Sequence, residues 1–285
     1  MRPQPMQDNF GADTTWGHGT LAGTLLSSPW RVFLISLLLL TLTGGSVAVA
    51  DVVAPPPAVA AASDISGSCQ EFDRLNSLIR DGALSRESAR SEIPRVLTRI
   101  KAQYQTAGGK NVPRSEWLFP LKGYTVTAVG GGRSHGYLPQ GYSYYDGNRH
   151  GGHPALDIFI NDRNQDDRDD LTGEYVPVVS VAGGVVVARE GEWLEGSTLR
   201  GGKYLWVYDP STDHLFYYAH LREVAVTVGT LIAPGQPLGL VGRSGLNAQK
   251  RRSPTHLHIT CLSTSTPSLL SENIYPDLVR APTVK

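Results

Sequence analysis

Cysteine is nearly missing from this chain of 285 residues: only Cys69 and Cys261 occur, and they are not spaced as a ligand pair. That argues against a structural zinc site, which is closed by four ligands and usually draws on several thiolates. An excess of charge of one sign is lacking too. The 26 Lys and Arg residues balance 26 Asp and Glu residues, so nothing points to a nucleic-acid partner, which needs a basic excess or patch. The sole basic cluster, Lys250-Arg251-Arg252, reads as a solvated loop or as a contact to an anionic polymer. No internal repeat is visible. With 40% hydrophobic and 18% charged residues, what remains is an ordinary globular composition with room for one large or two small domains.

Long apolar runs are also scarce, and the single one has a recognisable setting. Arg31 precedes Val32-Phe33-Leu34-Ile35-Ser36-Leu37-Leu38-Leu39-Leu40-Thr41-Leu42, and Ala48-Val49-Ala50 follows. That order of charge, apolar run and small-residue site predicts a signal peptide over residues 1–50, cleaved after Ala50. The alternative is an uncleaved anchor, but Val32 to Ala50 reaches the roughly 20 residues of a span only by counting Gly44, Gly45 and the Ser and Thr positions. In either case the rest is expected outside the cytoplasm, in the periplasm or cell envelope, with an N-terminal anchor as its only membrane contact. Residues 51–65, with Ala54-Pro55-Pro56-Pro57, read as an extended linker.

Residues 66–109 change texture. Phe72, Leu75, Leu78, Ile79, Leu84, Ile93, Val96, Leu97 and Ile100 recur at helical spacing, broken near Asp81-Gly82. Two helices are expected, the second capped by Ser85. From residue 113 to 285 the pattern is of short strands among Gly, Pro and aromatics: Tyr124 to Val129, Val176 to Val181, Gly184 to Ala188, Tyr204 to Tyr208, Leu215 to His220, Leu238 to Val241 and Thr255 to Cys261. The fold class is therefore mainly β, preceded by a short helical segment. An oxidising compartment would allow Cys69 and Cys261 to form a disulfide tying the helices to the sheet; two free buried thiols are the alternative.

Chemistry concentrates in histidine. In a strand, residues i and i+2 share a face about 6.6 Å apart, so His256 and His258 can enter one cavity while Leu257 packs behind. His153 and Asp157 would stand roughly 13 Å apart on a straight strand, too far for one ion. The chain must bend between them, helped by Pro154. Nitrogen and oxygen ligands in such a set specify zinc. Phe216-Tyr217-Tyr218-Ala219-His220-Leu221 adds one more His at the end of an aromatic strand.

The ordered set H-x-x-x-D, Y-x-H-L and H-L-H, with Gly183-Gly184, Pro234-Gly235 and Gly242-Arg243-Ser244-Gly245 between, resembles the lysostaphin/LytM-type zinc endopeptidases from about Leu118 to Leu262. The resemblance implies an open, mostly antiparallel sheet with a metal at the floor of a groove. It implies His153, Asp157 and His258 as ligands of one Zn²⁺, and His220 and His256 as catalytic groups. It further implies hydrolysis of the peptide cross-links of bacterial peptidoglycan, with those peptides as partners and the chain acting as a monomer. The alternative is a catalytically inactive relative that binds the wall or activates an amidase. A Tyr at 144 or 145 could touch the reacting groups, although packing is the more ordinary role. His135, His150 and His214 match no motif and are expected to be structural. After Ile160 the dense acidic stretch from Asp162 to Asp170 fails the EF-hand pattern, since position 6 is Asp167 and position 12 is Gly173. It reads as a solvated loop or one stiffened by calcium in another way.

Overall fold

Apolar residues at three- and four-residue spacing between Ser68 and Gln105 form two helices in the computed structural model, which describes residues 64–285. Helix α1 (Ile65–Arg80) starts at Asp64, whose carboxylate accepts the Gly67 N–H at 2.8 Å. A side-chain oxygen there replaces a backbone partner that every first turn lacks. Helix α2 (Arg86–Tyr104) starts at Ser85, where the Ser88 N–H bonds to Oγ at 3.1 Å. Phe72, Leu75 and Ile79 of α1 and Ile93, Val96, Leu97 and Ile100 of α2 are buried in one cluster. Each contributes about 1.5–3 kcal/mol by leaving water. The expected signal or anchor and nearly all of the linker lie outside the described residues. Among the described residues no helix is long and apolar enough to cross a membrane.

Nine antiparallel strands follow: β1 (Ala155–Phe159), β2 (Pro177–Val179), β3 (Gly184–Glu190), β4 (Lys203–Asp209), β5 (His214–Val224), β6 (Leu231–Ile232), β7 (Pro237–Val241), β8 (His256–Ser263) and β9 (Leu270–Glu272). A short helix α3 (Tyr275–Arg280) comes last. The main path across the open sheet runs β1-β8-β5-β4-β3-β6; β7 also pairs with β5 and carries β2, and β9 flanks β8. Alternation along the strands divides the side chains. Leu156, Ile158, Phe216, Tyr218, Leu257 and Ile259 fill one face, together with Trp117 and Phe119. Val185, Val187 and Trp206 meet the two helices on the other. Toward β1 and β8 that second face is left open as a groove.

Three sequence expectations are corrected. Tyr124 to Val129 is not a strand but a 3₁₀ turn over Val126–Ala128. Gly123 and Gly131, with φ of 78° and 91°, bend the chain on both sides, and only Val129 reaches the sheet, opposite Ile158. Strands β6 and β9 and helix α3, at 2, 3 and 6 residues, were not anticipated because they are too short to show a period. Finally, Cys69 and Cys261 are free, buried thiols. Cys261 points with Leu257 and Ile259 into one core, while Cys69 lies on α1 in the other, so the sheet stands between the thiols. The helices are held instead by packing and polar contacts, such as Arg80 Nη1 to Glu190 Oε2 at 2.9 Å and the Arg189 N–H to Asp73 Oδ1 at 3.0 Å.

Candidate metal centre

Alternation along β8 brings His256 and His258 onto the groove while Leu257 is buried behind them. Strand β1 lies antiparallel beside β8 with Asp157 directly opposite His258. His153 precedes β1, held by reciprocal backbone bonds with Leu138 at 2.6 and 2.8 Å. The imidazole of His153 reaches back along the chain, so Asp157 Oδ1 lies 3.3 Å from His153 Nε2, 3.1 Å from His258 Nδ1 and 3.7 Å from His256 Nε2. Among the described residues His153, Asp157 and His258 form the one group compact enough for a metal, their donor atoms all within 4.8 Å of one another.

Donor chemistry fits zinc there. Two ligands at about 2.1 Å from a tetrahedral ion stand about 3.4 Å apart, close to the 3.1 and 3.3 Å separations observed. His153 Nδ1 lies 2.7 Å from the Gly136 carbonyl, which can only accept. A neutral His153 therefore carries its proton on Nδ1 and turns an Nε2 lone pair toward a carboxylate. That arrangement is repulsive unless a proton or a cation lies between them. Burial works against the charge of Asp157, yet hydrogen bonds from His153 and His258 and the charges of His258 and His256 hold its carboxyl far below the usual range. Burial pushes His258 down to about 4, with Asp157 pulling the other way. For His153 the outcome reverses: burial, the largest single influence, opposes protonation, but the hydrogen bond and charge of Asp157 with the Gly136 carbonyl together outweigh it and the pKa is raised.

His220 reaches the groove by a break in the strand pattern. Leu215 and Ala219 face the helices, Phe216, Tyr218 and Leu221 face the opposite core, and strict alternation would send His220 to that opposite core. Instead His220 takes a left-handed φ of 62°, and a register shift follows between Leu221 and Glu223. A bulge of this kind re-aims one side chain at a cost of about 1–3 kcal/mol. The imidazole arrives 4.9 Å from that of His256 and 5.4 Å from that of His258, ring centre to ring centre. Its Nδ1 bonds the Ser244 carbonyl at 2.9 Å, as His256 Nδ1 bonds that of Pro254 at 2.7 Å. Both rings thus carry the proton on Nδ1 and offer Nε2. Burial, followed by the charges of His256 and His258, drives His220 well below its ordinary pKa.

The turn from Gly242 to Gly245 is the part of this machinery whose function sequence left unassigned. Ser244 supplies the carbonyl for His220, and its Oγ donates to Leu221 O at 2.7 Å. Gly245 has φ of 113°, and a Cβ there would fall onto the Arg200 carbonyl and 2.9 Å from His220 Nδ1. Gly136 and Pro254, whose carbonyls orient two imidazoles, carry no sequence signal, because the main chain does the work.

Other singled-out residues divide clearly. Tyr144 donates to Asn76 Oδ1 at 3.1 Å and Tyr145 to the Pro267 carbonyl at 2.5 Å, so both hydroxyls serve packing. His214 is buried between Thr212 and Glu272, and His135 stacks on Tyr275. His150 departs from the structural expectation, since it lines the groove. In the acidic loop Asp162 accepts the N–H groups of Asp166 and Asp167, Asp169 those of Leu171 and Thr172, and Asp167 pairs with Arg222. Lys250, Arg251 and Arg252 are exposed.

Residues 170–268 match the profile of Peptidase family M23. That span takes in His220, His256 and His258 and begins after His153 and Asp157. Among solved structures the chain is similar to the catalytic domain of the antimicrobial peptidase lysostaphin from Staphylococcus simulans, at 26% identity over 45% of this chain and 80% of that one, TM-score 0.33. It is similar to a putative glycyl-glycine endopeptidase LytM from Ruminococcus gnavus, at 20% identity over 76% and 86%, TM-score 0.38. A zinc containing peptidase from Vibrio cholerae is similar at 23% identity over 41% of this chain, TM-score 0.30, and the chain spans 29% of that protein's length. No curated protein matches.

Proposed function

We propose that the chain, whose residues 170–268 match the profile of Peptidase family M23, is an exported zinc endopeptidase of the lysostaphin/LytM type that hydrolyses peptide cross-links of bacterial peptidoglycan. The observation that carries the reading is the convergence of His153 Nε2 and His258 Nδ1 on Asp157 Oδ1, at 3.3 and 3.1 Å, beside two imidazoles that present free Nε2 atoms. A zinc ion held by those three residues would supply Lewis-acid polarisation of the scissile carbonyl and acidify the attacking water.

The chain's own residues do the rest. His220 and His256, each fixed by a main-chain carbonyl at Nδ1, act through Nε2: between them they take the proton of the attacking water, stabilise the developing oxyanion and return a proton to the leaving amine. The groove has aromatic side chains, Trp206 and Tyr217 among them, which exclude water and offer faces to an extended peptide. Export rests on the apolar run after Arg31, and the domain limits of 66–109 for the helical part and 113–285 for the peptidase part belong to the same proposal, as does action as a monomer.

The test is a digest of purified sacculi by the full-length chain, with mass spectrometry of the new ends. New amino groups within cross-links are expected. Intact cross-links after digestion by zinc-loaded protein would exclude the reading in favour of an inactive wall-binding relative.

A further inference from the structure

Arg200 stands in the groove beside the residues just described and has no part in their chemistry. Its backbone N–H donates to Asn148 Oδ1 at 3.1 Å and its Nη1 to the His150 carbonyl at 2.6 Å. Asn148 is itself braced by donating Nδ2 to the Thr198 carbonyl at 3.0 Å. The next residue, Gly201, gives its carbonyl to the His220 N–H at 2.9 Å, which ties the position of Arg200 to that of His220.

What sets Arg200 apart is charge without a partner. It is partly buried, and among the described residues it forms no ion pair. The other arginine on the groove, Arg80, is neutralised by Asp81 and Glu190. Among the described residues Asp157 is the only carboxylate lining the groove, and it is engaged with imidazoles. Of the five guanidinium donors, the His150 carbonyl takes one. Bracing that carbonyl would need no more than an amide, whereas a planar cation with spare donors matches a carboxylate in a two-point contact.

We propose that Arg200 binds a free carboxylate carried by the substrate peptide next to the bond that is cut. The proposal rests on the peptidase reading above and narrows its substrate class. A cross-link whose amine sits on a carbon that also bears a carboxylate presents such an anion beside the leaving nitrogen; a bridge built of glycine presents none along its length. Arg200 therefore fits the first kind.

The experiment uses the zinc-loaded full-length chain and two synthetic peptides, alike except for a carboxylate or a carboxamide on the carbon that carries the scissile nitrogen. Cleavage is followed as kcat/KM, and binding by quenching of intrinsic fluorescence, for the wild type, Arg200→Gln and Arg200→Lys. The wild type should favour the carboxylate by about 10–100-fold in both readouts, the range of a charge-assisted hydrogen bond. In Arg200→Gln the carboxylate-to-carboxamide ratio should fall to about one, and in Arg200→Lys it should be intermediate. Equal handling of the two peptides by the wild type, or an undiminished ratio in Arg200→Gln, overturns the proposal. Discrimination in binding with neither peptide cut would keep the Arg200 subsite and sink the hydrolytic reading. Cleavage of both at one rate would do the reverse.

Discussion

Asp157 and His258 are partners in the β1–β8 ladder, and their facing atoms, Oδ1 and Nδ1, are 3.1 Å apart. Strand register, rather than a loop, therefore sets the distance between two of the three candidate ligands. Side chains carried on paired strands are held more precisely than side chains carried on loops.

The first prediction follows from that. The purified chain should carry about one zinc per molecule, since three preorganised ligands suffice for a catalytic site. Asp157→Ala should lose both zinc and activity while remaining folded. Full zinc occupancy in that variant, by elemental analysis, would remove Asp157 from the ligand set.

The second separates ligands from catalysts. His220→Ala and His256→Ala should retain zinc and lose turnover by about 10²–10⁴-fold, the scale of an acid–base or oxyanion group. An apo protein in either case would mean that the roles are assigned wrongly.

The third concerns the turn that holds His220. Gly245→Ala forces a side chain into a φ of 113° against the Arg200 carbonyl and His220 Nδ1, at an expected cost of about 1–3 kcal/mol. Turnover should fall with zinc content unchanged. An alanine variant with native denaturation midpoint and native turnover would contradict the packing described here.

The fourth is a pH effect. Arg114 grips Asp277 at 3.0 and 2.7 Å. Burial raises the Asp277 carboxyl, but Arg114 outweighs it and leaves the folded value lowered. A depressed acid contributes stability above its unfolded pKa of about 3.9 and loses it as pH falls through the folded value. Arg114→Met should therefore destabilise clearly at pH 7 and much less at pH 2, as read from urea midpoints. Equal losses at the two pH values would refute it.

The fifth concerns the thiols. Burial pushes Cys69 up to about 12 and Cys261 well above the ordinary thiol value, and thiolates are the reactive form. Neither should alkylate in the folded chain, and both should do so in denaturant without reductant. Recovery of a disulfide-linked peptide containing Cys69 and Cys261 would overturn the arrangement of the two cores.

Much of the site was legible because its side chains obey strand periodicity. His256, Leu257 and His258 alternate as a strand must, and the four-residue gap from His153 to Asp157 demanded that the chain depart from a straight strand between them. Two things were hidden. Main-chain carbonyls at Gly136, Ser244 and Pro254 leave no mark in a residue string, and the bulge at His220 violates the very period used to find strands. In the fold, α1 and α2 announced themselves through Phe72 to Ile79 and Ile93 to Ile100, whereas Leu231–Ile232 is too short for any pattern. The false bridge had a different origin. Two lone cysteines in a chain expected to be exported suggest a bond, but which side of the sheet Cys261 occupies depends on the register of β8 and on where the helices pack.

The left-handed backbone at His220 also has an evolutionary consequence. At φ of 62° glycine or asparagine sits more comfortably than histidine, so backbone conformation alone does not favour the residue found there. Lineages released from the need to hydrolyse anything should drift to glycine or asparagine at this position while leaving the strand, the turn at Gly245 and the core intact. The identity of residue 220 would then divide working descendants of this fold from retired ones more sharply than the candidate ligands His153, Asp157 and His258, none of which has a positive φ.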